Sequence, residues 1–142
     1  MPRTLSVFID TGVIVALHNR RDVMHARAVE LFKEALSSDL GPVYTSDYIF
    51  DEAVTFALRK TGRPELAISL GSFILGMEVK PVMTVLKVDD GIFSDAWELF
   101  KRYSRKGLSF TDCTSIALIK RRGIHYIMSF DQDFDGIIPR LS

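Results

Sequence analysis

The chain has a single cysteine, Cys113, so no internal disulfide framework holds it together. It has no long apolar run. The longest, Leu66 to Met77 (LAISLGSFILGM), is too short to span a bilayer. It has no excess charge either: Lys+Arg and Asp+Glu each total 18. A protein that held nucleic acid by bulk charge alone would be basic, so any nucleic-acid function here requires locally grouped cations. No internal repeat, low-complexity tract or linker-like segment interrupts the chain, and MPRTLSVFID runs straight into a strand without a signal-peptide layout. The expectation is a cytoplasmic protein with no membrane segment. Its 142 residues, 47% hydrophobic, suffice for one domain (1–142) with a full core.

Hydrophobic periodicity predicts alternating strands and helices. Leu5 to Ile9 (LSVFI) reads as a first strand, and Thr11 as the cap of a short helix to about His18. Met24 to Ser37 has Ala28, Leu31, Phe32 and Ala35 at helical spacing. Gly41-Pro42 should break the chain before a short strand, Val43 to Thr45. Ser46 reads as the N-cap of a helix stopping at Thr61-Gly62, and Arg63-Pro64 opens another that ends near Gly76. A strand over Val82 to Val88, a helix capped by Asp89 or Asp90 and running to about Arg105, a helix capped by Thr111 and stopped by Gly123, and a strand over Tyr126 to Ser129 complete the series. A last short strand is expected near Ile137-Ile138. This alternation predicts a three-layer α/β/α sandwich around a mainly parallel sheet. In such sheets, ligands sit beyond the carboxyl ends of the strands.

Four acids stand in unusual places. Asp10 closes the apolar stretch VFIDTGVIVAL, and Asp131 follows the fourth strand, so parallel strands would put both on one sheet edge. Asp112 lies in the first turn of its helix, where the macrodipole favours an ionised carboxylate. Glu52 borders the arc formed by Ile49, Ala53, Phe56 and Ala57, whereas Asp51 points to solvent. Each has an ordinary alternative: Asp10 and Asp112 as helix-start residues, Glu52 paired with Arg59, Asp131 as a turn residue. Together, four converging carboxylates without matching cations would repel one another, and a hard divalent ion, Mg²⁺ or Mn²⁺, relieves that. His18, His25 and His125 lack zinc-ligand spacing. Acids that hold Mg²⁺ suit phosphodiester hydrolysis, in which the metal activates water and offsets charge on the phosphate.

The stretches VFIDTGVIVAL, YTSDYIFDEAVTFAL and LSFTDCTSIALIKRRGIHYIMSFDQDF resemble the PIN-domain family, in particular its small prokaryotic toxins. The resemblance covers nearly the whole chain in the expected order. It implies an acidic, metal-dependent ribonuclease site, with Asp10, Glu52, Asp112 and Asp131 matching the family's four acids. Thr11 and Thr111 match its hydroxyls beside the first and third acids and would orient those carboxylates. Asp133 is an auxiliary candidate; the alternative, that Asp133 and Asp135 cap or solvate their loop, is the stronger reading. The resemblance further implies an RNA substrate, a homodimer and a small antitoxin partner that masks the site. The competing function is a PIN-fold module that binds RNA or protein without cutting. A phosphotransferase with Asp10 as nucleophile is disfavoured by Gly12 where a second Asp would stand, and no P-loop is present. Cys113 reads as core, and Phe93, Trp97 and Phe100, at helical spacing, as core packing rather than a base-stacking surface.

Overall fold

The computed structural model describes residues 5–37, 40–77 and 80–142. Five parallel strands, β1 (Leu5–Ile9), β2 (Leu40–Ser46), β3 (Thr84–Leu86), β4 (Tyr126–Met128) and β5 (Arg140–Leu141), form one sheet in the order β3-β2-β1-β4-β5. The helices α1 (Thr11–His18), α2 (His25–Ala35), α3 (Asp47–Thr61), α4 (Pro64–Leu75), α5 (Asp90–Tyr103) and α6 (Phe110–Arg122) flank it in the expected three-layer α/β/α sandwich. α1 packs on α2 and α3, α3 on α4, and α5 on α6. The strand order has one consequence for function. From β1 the chain builds outward to β2 and β3, then returns to the other side of β1 for β4. The crevice between β1 and β4 is therefore the topological switch point of the sheet, where ligands bind in open α/β folds.

The core explains why these residues form these elements. Val7, Phe8 and Ile9 of β1 and Ile127 of β4 are wholly buried, as apolar strands covered on both faces must be. Ser46 caps α3 by accepting from the Ile49 N–H at 3.1 Å, and Gly62 (φ 66°) ends it in the left-handed conformation that a residue without a Cβ adopts most easily. Asp89 caps α5 through the Ile92 N–H. Among the described residues no helix is long and apolar enough to cross a membrane.

Several expectations needed correction. Asp10, not Thr11, occupies the N-cap position of α1, which frees the Thr11 hydroxyl for another partner. Ser109, not Thr111, caps α6. Gly41-Pro42 does not break β2, because the pairing with β1 shifts register between Leu5 and Val7 and so accommodates the extra residue there. β3 is shorter than Val82 to Val88, since this edge strand pairs only alongside Tyr44 to Ser46. The last strand lies at Arg140–Leu141, and Ile138 enters the core instead. Phe93 and Trp97 are not core: they are 49% and 50% exposed. Trp97 stacks on Phe100, and Phe93 and Phe100 both meet Phe110 edge-on, which makes a half-open aromatic cluster between α5 and α6. α4 buries Leu70 and Ile74 and leaves Ile68 67% exposed.

Phe134 ties the core to the site. It is fully buried and lies in the short 3-10 turn Gln132–Phe134 that Asp131 opens. Phe134→Ala should cost about 3–5 kcal/mol of unfolding free energy, the usual range for emptying such a site. A urea titration followed by circular dichroism measures it; a loss below about 1 kcal/mol would show that Phe134 does not anchor this turn.

Candidate active site

A cleft of about 440 Å³ opens at the carboxyl ends of β1 and β4, and Asp10, Glu52, Asp112 and Asp131 all line it, with Thr11, Gly12, Ser109 and Phe130. Asp10 arrives at the end of β1 and is buried; its N–H donates to the Met128 carbonyl of β4 at 3.0 Å. Asp131 leaves β4 two residues beyond Ser129. Glu52 comes from the second turn of α3, and Asp112 from the first turn of α6. The structure thus brings together four acids that are far apart in sequence. No lysine or arginine lines the cleft, and none of the four forms a salt bridge among the described residues.

Each acid is instead held by a protein donor. The Ser129 hydroxyl donates to Asp10 Oδ2 at 2.7 Å and accepts from the Asp131 N–H at 3.0 Å. Thr11 Oγ1 donates to Glu52 Oε1 at 2.5 Å. Ser109 and Asp112 form a capping box: the Asp112 N–H donates to Ser109 Oγ, and the Ser109 N–H donates to Asp112 Oδ2 at 2.8 Å. The Asp133 N–H donates to Asp131 Oδ1 at 2.9 Å. The Asp133 side chain does not line the cleft; it lies where a Cβ on Gly107 would stand 2.9 Å from its Oδ2. Asp135 pairs with Arg140, whose guanidinium also donates to the Ser129 carbonyl at 3.0 Å. Thr111 does not act as expected. Its carbonyl accepts from the Thr114 and Ser115 hydroxyls, and its own hydroxyl bonds no acid among the described residues. Ser109 takes that place, and the pattern Ser109-x-x-Asp112 is the signal by which it could have been found. Ser129 had only a weak signal, a hydroxyl at the end of an apolar strand.

Burial dominates the electrostatics. It pushes the Asp10 carboxyl up to about 7, with the Asp112 and Glu52 charges adding to it and the Ser129 hydrogen bond opposing. Asp112 is also raised, first by burial and then by Asp131 and Glu52, against the pull of its hydrogen bonds to Ser109. The helix start was expected to favour the ionised form of Asp112; burial and the neighbouring acids oppose it. Burial lifts the Cys113 thiol to about 11, which leaves it as packing rather than a nucleophile. Among the described residues no three carboxylates stand close enough to cage an ion. The donor set nevertheless fits a hard divalent ion, because Mg²⁺ keeps most of its waters and takes one or two carboxylates.

A family model described as PIN domain matches residues 7–137. The chain is 30% identical over 130 residues, 92% of each chain, to the 23S rRNA-specific endonuclease VapC20 of Mycobacterium tuberculosis. The crystal structure of M. tuberculosis VapC20, a sarcin-ricin loop cleaving toxin, matches with a TM-score of 0.77 at 29% identity, covering 93% of this chain and 96% of that one. A toxin-antitoxin complex from Klebsiella pneumoniae contains a chain that matches with a TM-score of 0.65 at 16% identity, covering 96% of each; that likeness is one of fold.

The Asp10 carboxyl sets a pH dependence. Its folded value of about 7 lies above the ordinary 3.8, so the folded metal-free protein holds a proton that the unfolded chain releases. Stability is full below about pH 4 for this group and declines until pH passes about 7, by on the order of a few kcal/mol. The melting temperature of metal-free protein should fall between pH 5 and 8, and Asp10→Asn should flatten that slope. An unchanged slope in the variant would assign the effect elsewhere.

Proposed function

The chain belongs to the PIN-domain family, and from that premise we propose that it is a metal-dependent endoribonuclease and the toxin of a toxin–antitoxin pair. The observation that carries this reading is the cleft at the β1–β4 crevice, which four carboxylates line without a lysine or arginine among the described lining residues. The likeness to VapC20, an endonuclease specific for 23S rRNA, supports RNA as the substrate class. The toxin-antitoxin complex of the same fold supports a small protein partner that covers the cleft. A homodimer belongs to the same reading, supported by the exposed apolar Ile68, Leu75 and Met77 on and beyond α4.

Asp10, Glu52, Asp112 and Asp131 would hold Mg²⁺ or Mn²⁺, directly or through water. When bound, such an ion supplies Lewis acidity at the phosphate and neutralises charge that develops during hydrolysis. The chain's own residues prepare the site. Ser129 fixes the Asp10 carboxylate and the start of the Asp131 turn with one hydroxyl, so the two acids keep a constant relation. Thr11 turns Glu52 into the cleft rather than along α3. Ser109 holds Asp112 against the first turn of α6. No histidine or lysine lines the cleft, so its proton-accepting groups are carboxylates.

Purified protein should cleave a mixture of single-stranded and stem-loop RNAs with Mg²⁺ or Mn²⁺ and lose that activity in EDTA. Asp112→Asn should cut the rate by about a hundredfold or more, and Ser129→Ala, which disturbs a ligand without removing it, by about 10–100-fold. Gel analysis of the products measures both. Equal cleavage by Asp112→Asn would expose a contaminant, and RNA binding without any cleavage would make the chain a non-catalytic module.

A further inference from the structure

The acidic cleft presents a difficulty for an RNA substrate. A polyanion must enter a pocket of carboxylates on a chain with no net charge. Cations near the cleft are needed to hold it. Basic groups are spread over many helix ends, but one group lies in a groove of about 600 Å³ where α1, α3 and the start of α4 meet. Arg20, Arg21, Lys60 and Arg63 line it, and no carboxylate does. Arg63 pairs with Glu65, whereas Arg20, Arg21 and Lys60 form no salt bridge among the described residues.

This groove lies along the same sides of α1 and α3 as the cleft, one helical turn further on. Glu52, Phe56 and Lys60 recur every fourth residue of α3 and so follow one side of that helix. Thr11 and Val15 do the same on α1, and the Thr11–Glu52 hydrogen bond fastens the two helices at the cleft end. From Glu52 to Lys60 the helix rises about 12 Å, a distance that a short length of single strand spans. Midway, Phe56 is 45% exposed, and the Lys60 ammonium lies 5.5 Å from its ring centroid. A flat ring beside a cation offers a base its face and the adjoining phosphate a counter-charge.

We infer that this groove seats the RNA strand flanking the scissile phosphate, with Arg20, Arg21 and Lys60 on phosphates and Phe56 under a base. The inference rests on the nuclease reading and names the substrate contacts that reading lacks. An acidic protein segment is the competing occupant. RNA is favoured because the groove follows the same sides of α1 and α3 as the cleft where the phosphodiester must lie.

The test separates binding from cleavage. Binding of fluorescein-labelled single-stranded and stem-loop RNAs is read by anisotropy in EDTA across a salt series, with wild type, the Arg20→Ala/Arg21→Ala/Lys60→Ala variant and Phe56→Ala. A Lys101→Ala/Arg102→Ala variant on α5 is the control. The triple variant should bind about tenfold or more weakly, and its log–log salt slope should fall by about 2, as expected for three lost single-strand phosphate contacts. With Mg²⁺, its KM should rise while kcat changes less than about threefold, and its thermal shift on adding Mg²⁺ should match wild type. Phe56→Ala should weaken binding without changing the salt slope. Wild-type affinity and slope in the triple variant, with cleavage intact, would overturn the groove and leave the nuclease standing. Intact RNA affinity together with escape from inhibition by a cognate antitoxin would likewise overturn it and assign the groove to protein. Weakened binding by the triple variant of a chain that cleaves no RNA would sustain the groove and reject the nuclease.

Discussion

One hydroxyl sits where the fold and the site meet. Ser129 is buried at the end of β4, donates to Asp10 at the end of β1, and accepts from the backbone that leads to Asp131. It does so only because β1 and β4 are adjacent and parallel, with Ile9 beside Met128. If the chain placed β4 at the far edge of the sheet, Asp10 would lose the Ser129 hydroxyl, and more of the cost of burying its carboxylate would fall on the whole domain. The strand order therefore does more than shape the crevice. It makes an ionisable group at its base tolerable.

The parts of this arrangement that follow backbone periodicity were legible in the sequence. Asp10 directly follows an apolar strand segment and Asp131 comes shortly after another, and alternating strands and helices imply parallel strands with both acids on one edge. Glu52 lay beside the apolar arc of its helix, so its inward direction was readable too. What was not legible depends on which of two neighbouring hydroxyls reaches an acid. Thr11 and Thr111 both stand next to an acid in sequence, yet only Thr11 reaches a carboxylate, and that carboxylate belongs to Glu52 on another helix. At α6 the reach back from Asp112 to Ser109 closes a capping box, which leaves Thr111 to accept bonds from its own helix. Phe93 and Trp97 misled for a related reason. Helical spacing shows that residues share a face but not what covers it, and here Phe110 of α6 meets Phe93 and Phe100 edge-on while Phe93 and Trp97 stay about half exposed.

Asp10 shows how function opposes stability here. Burial and two neighbouring charges push its carboxyl to about 7, so the metal-free fold favours the protonated acid, whereas a cation needs the carboxylate. Three donors, the Ser129 and Thr11 hydroxyls and the Ser109 N–H, offset part of this conflict at Asp10, Glu52 and Asp112 without removing it. They fix directions and leave the charges unbalanced. A lysine or arginine in the cleft would relieve the repulsion more fully, but it would also fill the space that the proposed cation requires.

The same reasoning accounts for where the cations lie. A chain with 18 acids and 18 bases could distribute them evenly, and a uniform surface would neither concentrate a metal nor hold a polyanion. Here the signs are separated along one pair of helices. The cleft end of α1 and α3 carries Thr11 and Glu52 beside the other acids, and the far end carries Arg20, Arg21 and Lys60. Most of the basic groups sit at helix C-termini, where they also complement the dipole, so the fold needs them there regardless of substrate. The packing of α1 on α3 turns that local requirement into a gradient, acid at one end and base about two helical turns away. On the proposed reading, a nucleic-acid strand laid along it would meet attraction first and the cleft last, where a bound cation would offset the repulsion of its phosphate.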